Sequence, residues 1–264
     1  MKNIIWVASY PKSGNTWVRS VLYAAIHGEV ELSHLGSFIP NFSVYAAHLI
    51  KKKVTNPGDI RFKWSAAQSQ LSKEAGDKHI FLKTHNIAGA FDCGHFPDKS
   101  LTNSFIYIYR DPRDIAISYS HHFDQPIDVS IKQVMDTKNM NFMPEDLSRG
   151  EFISSWDNHI KSWSQMPFRK LFVKYENMIA NPETEIMRIL NFCSVAPHGN
   201  YQQLMQQTNF TTLQKQENKT GFPEAIGRTA FFRKGEVGQW KESKTDFSPL
   251  ETTFKDVMTQ LGYL

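Results

Sequence analysis

The stretch Ile4–Trp17, IIWVASYPKSGNTW, runs an apolar strand directly into a Lys-Ser-Gly-Asn-Thr turn and then into an amphipathic helical pattern. Main-chain N–H groups in the first turn of a helix have no intrahelical partners and sit at the positive end of its dipole. A phosphate or sulfate there is favoured by geometry and field together. Lys12 adds a full charge, and Gly14 lets the backbone approach a ligand with no Cβ in the way. Ser13, Asn15 and Thr16 supply short donors. The blander reading of the same residues is a glycine turn beside a solvated lysine.

The common nucleotide loop, G-x-x-x-x-G-K-[ST], places its lysine after the second glycine, whereas Lys12 precedes Gly14. No Lys-[Ser/Thr] pair follows Gly14, and no strand ending in Asp leads to a clear catalytic carboxylate. A magnesium-dependent P-loop kinase or nucleotide hydrolase is therefore the alternative rather than the leading reading.

At 264 residues, 41% of them apolar, the chain can bury a real core, and 1–264 reads as a single domain. No apolar run approaches the roughly 20 residues of a membrane span, and the apolar stretch in MKNIIWVASYPK is too short for a signal peptide. The expectation is a cytoplasmic protein without membrane association, in which Cys93 and Cys193 stay reduced and take no part in chemistry. A formal charge of +4 is mild and suits a small anionic ligand. The run Lys51-Lys52-Lys53 is short and has no interleaved aromatics, so it reads as a solvated face and not as a nucleic-acid site.

Four short apolar segments read as strands of a parallel sheet: 4–9, 79–83, 104–109 and 171–175. Helical patterns between them argue for an α/β fold, a central parallel sheet flanked by helices with ligands beyond the carboxyl ends of the strands. The first helix spans 16–27 and stops before Gly28; Asp111-Pro112 opens another to about His122, and Asn181-Pro182 repeats the device. Phe152, Trp156, Ile160 and Trp163 form a helical stripe that reads as core, and Ser248-Pro249-Leu250-Glu251 reads as a capping box. Long weakly patterned stretches remain at 28–78, 86–103, 123–150 and 211–232, the first with short helices near 45–52 and 66–71.

Two further basic clusters follow. Strand 104–109 runs into Arg110-Asp-Pro-Arg-Asp, with Ser118 about two turns along the next helix, and the planar guanidinium of Arg110 suits a phosphate or a carboxylate partner equally. Phe231-Phe-Arg-Lys-Gly-Glu-Val-Gly-Gln-Trp-Lys241 carries two cations ahead of Gly235, and alone would be a solvated basic turn.

Taken in order, these motifs resemble the sulfotransferases that use 3′-phosphoadenosine 5′-phosphosulfate (PAPS), and the likeness extends from Ile4 to about Lys241. It implies that Pro-Lys-Ser-Gly-Asn-Thr-Trp (Lys12, Ser13, Gly14, Asn15, Thr16, Trp17) holds the 5′ end of the nucleotide. Arg110 and Ser118 would take the 3′-phosphate, and the loop with Arg233, Lys234 and Gly235 would close over it. Tyr175, Thr208 and Phe210 fall where relatives contact the adenine, and Trp17 would stack on it. In Phe-Leu-Lys83-Thr84-His85 the match implies His85 as general base, Lys83 on the transferring sulfonate, Lys12 on the leaving oxygen, and Ser118 as a partner of Lys12. Trp-x-Ala-Ser-Tyr-Pro-Lys-x-Gly-Asn-Thr-Trp-Val-Arg is most similar to bacterial natural-product sulfotransferases such as the glycopeptide-antibiotic type. Animal cytosolic relatives often carry a Lys-Thr-Val…Glu dimer motif that Ser243-Lys-Thr-Asp-Phe does not reproduce, which leaves the oligomeric state open.

Such chemistry moves a neutral SO3 unit in line between two oxygens, so the protein removes a proton and neutralises the departing phosphate. An imidazole with an ordinary pKa of about 6.5 suits a small-molecule hydroxyl acceptor, alcohol or phenol. Neither His121-His122 nor the cysteines have zinc-ligand spacing, and no metal is expected. A non-catalytic module binding sulfated or phosphorylated ligands is the remaining alternative, and Lys83 with His85 argues against it.

Overall fold

The structure is a computed structural model that describes residues 2–49, 58–91, 94–143, 146–225 and 230–264; Lys51-Lys52-Lys53 and Cys93 lie outside the described residues. In chain order come β1 (Ile4–Ser9), α1 (Asn15–His27), α2 (Leu35–Phe38), α3 (Phe42–Leu49), α4 (Gly58–Ala75), β2 (Ile80–Thr84), β3 (Gly89–Phe91) and β4 (Gly94–Phe96). Next are β5 (Thr102–Tyr109), α5 (Pro112–Phe123), α6 (Ile127–Met135), β6 (Met140–Met143), β7 (Asp146–Phe152), α7 (Trp156–Ser164) and β8 (Arg169–Lys174). The chain finishes with α8 (Tyr175–Ala180), α9 (Pro182–Cys193), α10 (Tyr201–Thr208), α11 (Phe210–Thr220), α12 (Ser248–Thr253) and α13 (Lys255–Gln260). No helix among the described residues is long and apolar enough to cross a membrane.

The central sheet is parallel, in the order β2-β1-β5-β8, with β1 and β2 in register from Ile4 opposite Ile80 to Ala8 opposite Thr84. All of β1 is buried, which is why IIWVAS is a continuous apolar run and not an alternating one. The four expected strands and the expected α/β class are present, and each helix-flanked strand delivers its chemistry at its carboxyl end. Tyr175 opens α8 where the sequence suggested the last residue of a strand.

The weakly patterned stretches hold more structure than expected. Residues 28–78 contain α2, α3 and the long α4, and 86–103 contain the β3–β4 hairpin. Residues 123–150 contain α6 and most of the β6–β7 hairpin. The stretch after 210 is helical because Asn209 caps α11, accepting from Thr212 N at 2.8 Å. Its buried face is only Leu213 and Glu217, too narrow to register as amphipathic. Phe152 belongs to β7: Ser155, with extended φ −72° and ψ 158°, separates it from the stripe on α7. The capping box is absent because Glu251 is drawn to Arg113 Nη1 at 2.6 Å, and Asp246 Oδ1 accepts the Ser248 N–H instead at 2.9 Å. Asn181 likewise makes no side-chain cap, and Pro182 alone opens α9.

The chain divides into two compact units, one of residues up to Tyr10, Ile39–Tyr107 and Asp136–Phe172, the other of Pro11–Phe38, Ile108–Met135 and Val173–Leu264. The first is organised around aromatic side chains. The Trp6 ring meets Phe42 and Phe96 edge-on at 5.2 and 5.1 Å, Trp64 lies 4.8 Å from Phe96, and Trp163 lies 5.0 Å from Phe105. Trp6 Nε1, which burial would otherwise orphan, donates to Thr102 Oγ1 at 3.1 Å. In the second unit, α1 buries Val18, Val21 and Leu22 and packs against α9 and α10, which contribute Ile189, Leu190 and Leu204. Gly28, with φ +89°, closes α1 through a bond from its N–H to Ala24 O.

One polar tie fixes β1 to the end of α4. Asn3 is buried, its Nδ2 donates to Ser72 O and Gly76 O at 2.9 Å each, and Ser72 Oγ donates back to Asn3 Oδ1 at 2.6 Å. Asn3→Ala removes three hydrogen bonds, to Ser72 O, Gly76 O and Ser72 Oγ, and should lower the urea midpoint by the equivalent of about 2–4 kcal/mol at unchanged m-value. A loss below about 0.5 kcal/mol would show that water replaces the tie.

Candidate active site

The loop after β1 is built for an anion. Lys12 and Gly14 both have positive φ, +67° and +103°, on either side of Ser13. A lysine in that region costs about 1–2 kcal/mol, strain of the kind that persists at functional sites. Trp17 N and Val18 N bond to Gly14 O at 3.0 and 3.3 Å, so the α1 ladder starts there and the preceding N–H groups lie outside it. A Cβ on Gly14 would lie 2.6 Å from Tyr175 Cδ2, which makes glycine obligatory on steric as well as conformational grounds. Ser13 Oγ and Trp17 Nε1 are buried with no hydrogen-bond partner among the described residues. Orphans of this kind call for a ligand or a water. Thr16 Oγ1 accepts from Arg19 Nη2 at 3.2 Å, and Arg19, itself buried, forks onto Glu224 at 2.7 and 2.8 Å.

Arg110, at the end of β5, lies in the same unit as this loop. Its guanidinium sits 4.3 Å over the Tyr175 ring, Nη2 donates to Glu236 O at 2.8 Å, and Nη1 reaches Lys12 O at 3.5 Å. Asp114, one turn along α5, is 3.8 Å from Arg110 and also accepts from Gly238 N at 2.7 Å and Trp240 N at 3.1 Å. Burial pushes the Asp114 carboxyl up, against the opposing pull of Arg110 and those two N–H groups.

The basic loop 231–241 is thus held on α5 from one side. On the other, Glu217 accepts from Phe231 N and Phe232 N at 2.6 and 2.8 Å, and Gln214 donates to Phe232 O at 2.6 Å. Gly235, at φ +67°, passes so close over Phe210 that a Cβ would lie 2.3 Å from its ring. The Trp240 ring lies 3.5 Å under the Arg113 guanidinium, which is itself anchored by Asp111 and Glu251.

Cations crowd here. Burial, and then Arg110, pushes the Arg233 guanidinium down from its ordinary range, although Glu236 opposes this, and Arg233 also bonds Gln239. Burial and then Arg233 and Lys234 push the His121 imidazole down. Lys234 is exposed and 3.7 Å from Glu236, and Lys12 Nζ lies 4.0 Å from the Phe231 ring centroid. Cations held this close in a folded protein make a region of positive potential that favours an anion. Trp17 and Tyr175 meet edge-on at 6.0 Å beside the loop. Thr208 is buried with its hydroxyl proton committed to Leu204 O at 2.8 Å, so it offers a ligand only lone pairs, while Ser118 is half-buried on α5.

The other unit holds Lys83 and His85. Lys83 is 8% exposed at the end of β2. His85 Nδ1 lies 2.8 Å from Ser9 O and 3.2 Å from Ser9 Oγ. A carbonyl can only accept, so Nδ1 carries the proton and, in the neutral ring, Nε2 keeps its lone pair. Glu151, also buried, accepts the His85 main-chain N–H at 3.1 Å and Asn41 Nδ2 at 3.3 Å. On the opposite side, His159 Nε2 donates to His85 O at 3.0 Å and its Nδ1 accepts from Tyr107 Oη at 2.7 Å. Among the described residues no group of three or more His, Cys, Asp or Glu side chains is placed to hold a metal, and Cys193 is buried.

Ser9, Tyr107, Glu151 and His159 escape sequence reading, as do Asp114, Gln214 and Glu217. One signal was present: His159 interrupts the apolar face of α7 formed by Trp156, Ile160 and Trp163. A polar group in that position must have a buried partner.

His159 is fully buried, and desolvation pushes its pKa down to about 4, the bond to His85 O opposing this only in part. The folded state therefore resists protonation that the unfolded chain accepts, and the associated stability is full above about pH 6.5 and is lost as pH falls toward 4. Stability should drop by about 2 kcal/mol from this residue between about pH 7.5 and about pH 5. In His159→Gln, whose amide nitrogen can reach the Nε2 position, denaturant titrations should show that share of the pH dependence gone; an unchanged pH dependence would contradict it.

A model of the family described as "Sulfotransferase domain" matches residues 2–261. Flavonol 3-sulfotransferase of Flaveria bidentis is 26% identical over 262 residues, covering 92% of this chain and 77% of that protein. A crystal structure of retinol dehydratase in complex with androsterone and inactive cofactor PAP matches with TM-score 0.66 at 18% identity, over 97% of this chain and 80% of that one. A sulfotransferase domain from the curacin biosynthetic pathway matches with TM-score 0.56 at 13% identity, over 100% and 99% of the two chains. The last two share the fold. With a sequence match from the second residue almost to the last, joined to a strand, phosphate loop and helix of this geometry, the chain belongs to the sulfotransferase domain family.

Proposed function

We propose that this chain transfers the sulfuryl group of PAPS to the hydroxyl of a small-molecule acceptor, leaving 3′-phosphoadenosine 5′-phosphate (PAP). The observation that carries the reading is the commitment of His85 Nδ1–H to Ser9 O, three residues before Lys12 in the sequence. One turn of chain thus prepares a basic imidazole nitrogen and opens a phosphate loop. The orphaned Ser13 hydroxyl and the glycine cradle against Tyr175 support a fit to the 5′ end of the nucleotide. The downward push on Arg233 from burial and Arg110, and on His121 from burial, Arg233 and Lys234, supports a second anionic group.

In this mechanism His85 Nε2 accepts the acceptor's hydroxyl proton as the oxygen–sulfur bond forms. Lys12 meets the charge developing on the 5′-phosphate as its bond to sulfur breaks, and Lys83 bears on the sulfonate oxygens between them. Ser13, Asn15 and Thr16 orient the 5′-phosphate, Arg110, Ser118, Arg233, Lys234 and Gly235 the 3′-phosphate. Trp17, Tyr175 and Phe210 form the adenine walls, with Thr208 accepting from the base. The acceptor belongs to the alcohols and phenols, the class that includes the flavonol, androsterone and retinol named for similar proteins.

His85→Ala, with p-nitrophenol as probe acceptor, should lower kcat by about 10²–10⁴ while PAP affinity by calorimetry stays within about twofold. A variant that binds PAP and keeps wild-type kcat would remove His85 from the chemistry. PAP binding without sulfate transfer by the wild-type protein to any of a panel of phenols and alkanols would favour a binding module.

A further inference from the structure

The peptide group between Ser9 and Tyr10 is engaged at both ends. Its carbonyl accepts His85 Nδ1–H at 2.8 Å, and its N–H, on Tyr10, bonds the Tyr107 phenolic oxygen. Tyr107 Oη donates to His159 Nδ1 at 2.7 Å, and His159 Nε2 donates to His85 O at 3.0 Å. The bonds close on themselves: from the Ser9–Tyr10 peptide through Tyr107, His159 and His85 and back to the same peptide. Every donor and acceptor in the circuit is forced. Two carbonyls can only accept, so His85 carries its proton on Nδ1 and His159 on Nε2, and the remaining His159 lone pair needs the Tyr107 proton. Bonds oriented head to tail in this way polarise one another, the more so where Tyr107 and His159 are both 0% exposed.

We propose that Tyr107 and His159 are positioning residues for His85: neither touches the reacting atoms, and together they hold the His85 carbonyl and the Ser9–Tyr10 peptide, whose own carbonyl fixes the tautomer, at the angle that presents His85 Nε2 as a base. This inference rests on the reading of His85 as general base. Replacing the Tyr107 hydroxyl lets His159 take either tautomer, one of which turns a lone pair toward His85 O and weakens the hold on that peptide. Replacing His159 with an apolar ring leaves His85 O without its donor and Tyr107 without its acceptor. The nucleotide loops contribute no atom to the circuit, so nucleotide affinity should not follow it.

Two measurements test the assignment. With p-nitrophenol as acceptor, His159→Phe should lower kcat about 10- to 100-fold and Tyr107→Phe severalfold, with KM for PAPS and PAP affinity within about twofold; His159→Gln should recover most of the activity. Rates are taken per PAP-binding site, so partial misfolding alone does not mimic the effect. In the second, long-range nitrogen–proton correlation spectra of the wild-type protein at neutral pH should show His85 as the Nδ1–H tautomer and His159 as the Nε2–H tautomer. Tyr107→Phe should split His159 between tautomers. A His85 found as Nε2–H overturns the proposal, as does Tyr107→Phe or His159→Phe with kcat within about twofold of wild type. If His159→Phe does not fold, Tyr107→Phe and the wild-type spectrum decide. Should His85→Ala retain kcat, the general-base reading fails on its own account, and the spectra still report whether the circuit exists.

Discussion

Asp114 holds the basic residues of the second unit together. Its two carboxylate oxygens accept the main-chain N–H groups of Gly238 and Trp240, and the same side chain pairs with Arg110. A buried carboxylate in this position is costly unless its lone pairs are filled, and two N–H donors plus a guanidinium fill them. The consequence is geometric: a loop carrying Arg233 and Lys234 is docked against Arg110 although like charges oppose it. Arg110 returns the bond by donating to Glu236 O. Such an arrangement concentrates positive potential in the folded protein.

The cluster around His85 in the first unit has a different physical basis. Its groups are neutral or satisfied: His159 is uncharged at neutral pH because burial lowers its pKa to about 4, and Tyr107 is held in its protonated form by burial. Hydrogen-bond direction, and not charge, determines which nitrogen of His85 is basic. Glu151 on the His85 N–H and His159 on its carbonyl fix the two peptide groups that flank His85, so the ring is oriented by its backbone as well as by Ser9. The ring is thereby held in one orientation and one tautomer by fixed dipoles.

What could be read from the sequence was what is contiguous. Lys12 to Trp17, Arg110 to Ser118, Lys83 to His85 and Arg233 to Trp240 are each a few residues whose loop, cap and charge chemistry is local. The partners that make them work are remote: Asp114 meets Gly238 across 124 positions, and His85 meets Ser9 across 76. No periodicity encodes such pairs. Helices were missed for a related reason. In α11 the buried face is Leu213 with Glu217, and Glu217 is inside because it holds the 231–232 main chain, a role invisible until the fold is known. The Ser248 cap failed in the opposite sense, since Glu251 had a better partner in Arg113 than its own helix. Thr208, read as a contact for adenine, spends its proton on α10.

The central claim is that this protein holds one adenosine nucleotide by phosphates at both ends. Titration calorimetry of the purified protein with PAP and with adenosine 5′-phosphate, both without magnesium, tests it most directly. The account predicts stoichiometric PAP binding that weakens by about 10²-fold or more when the 3′-phosphate is absent, the loss of several charge-assisted bonds. Equal affinity for the two nucleotides, or no association with PAP, would contradict it.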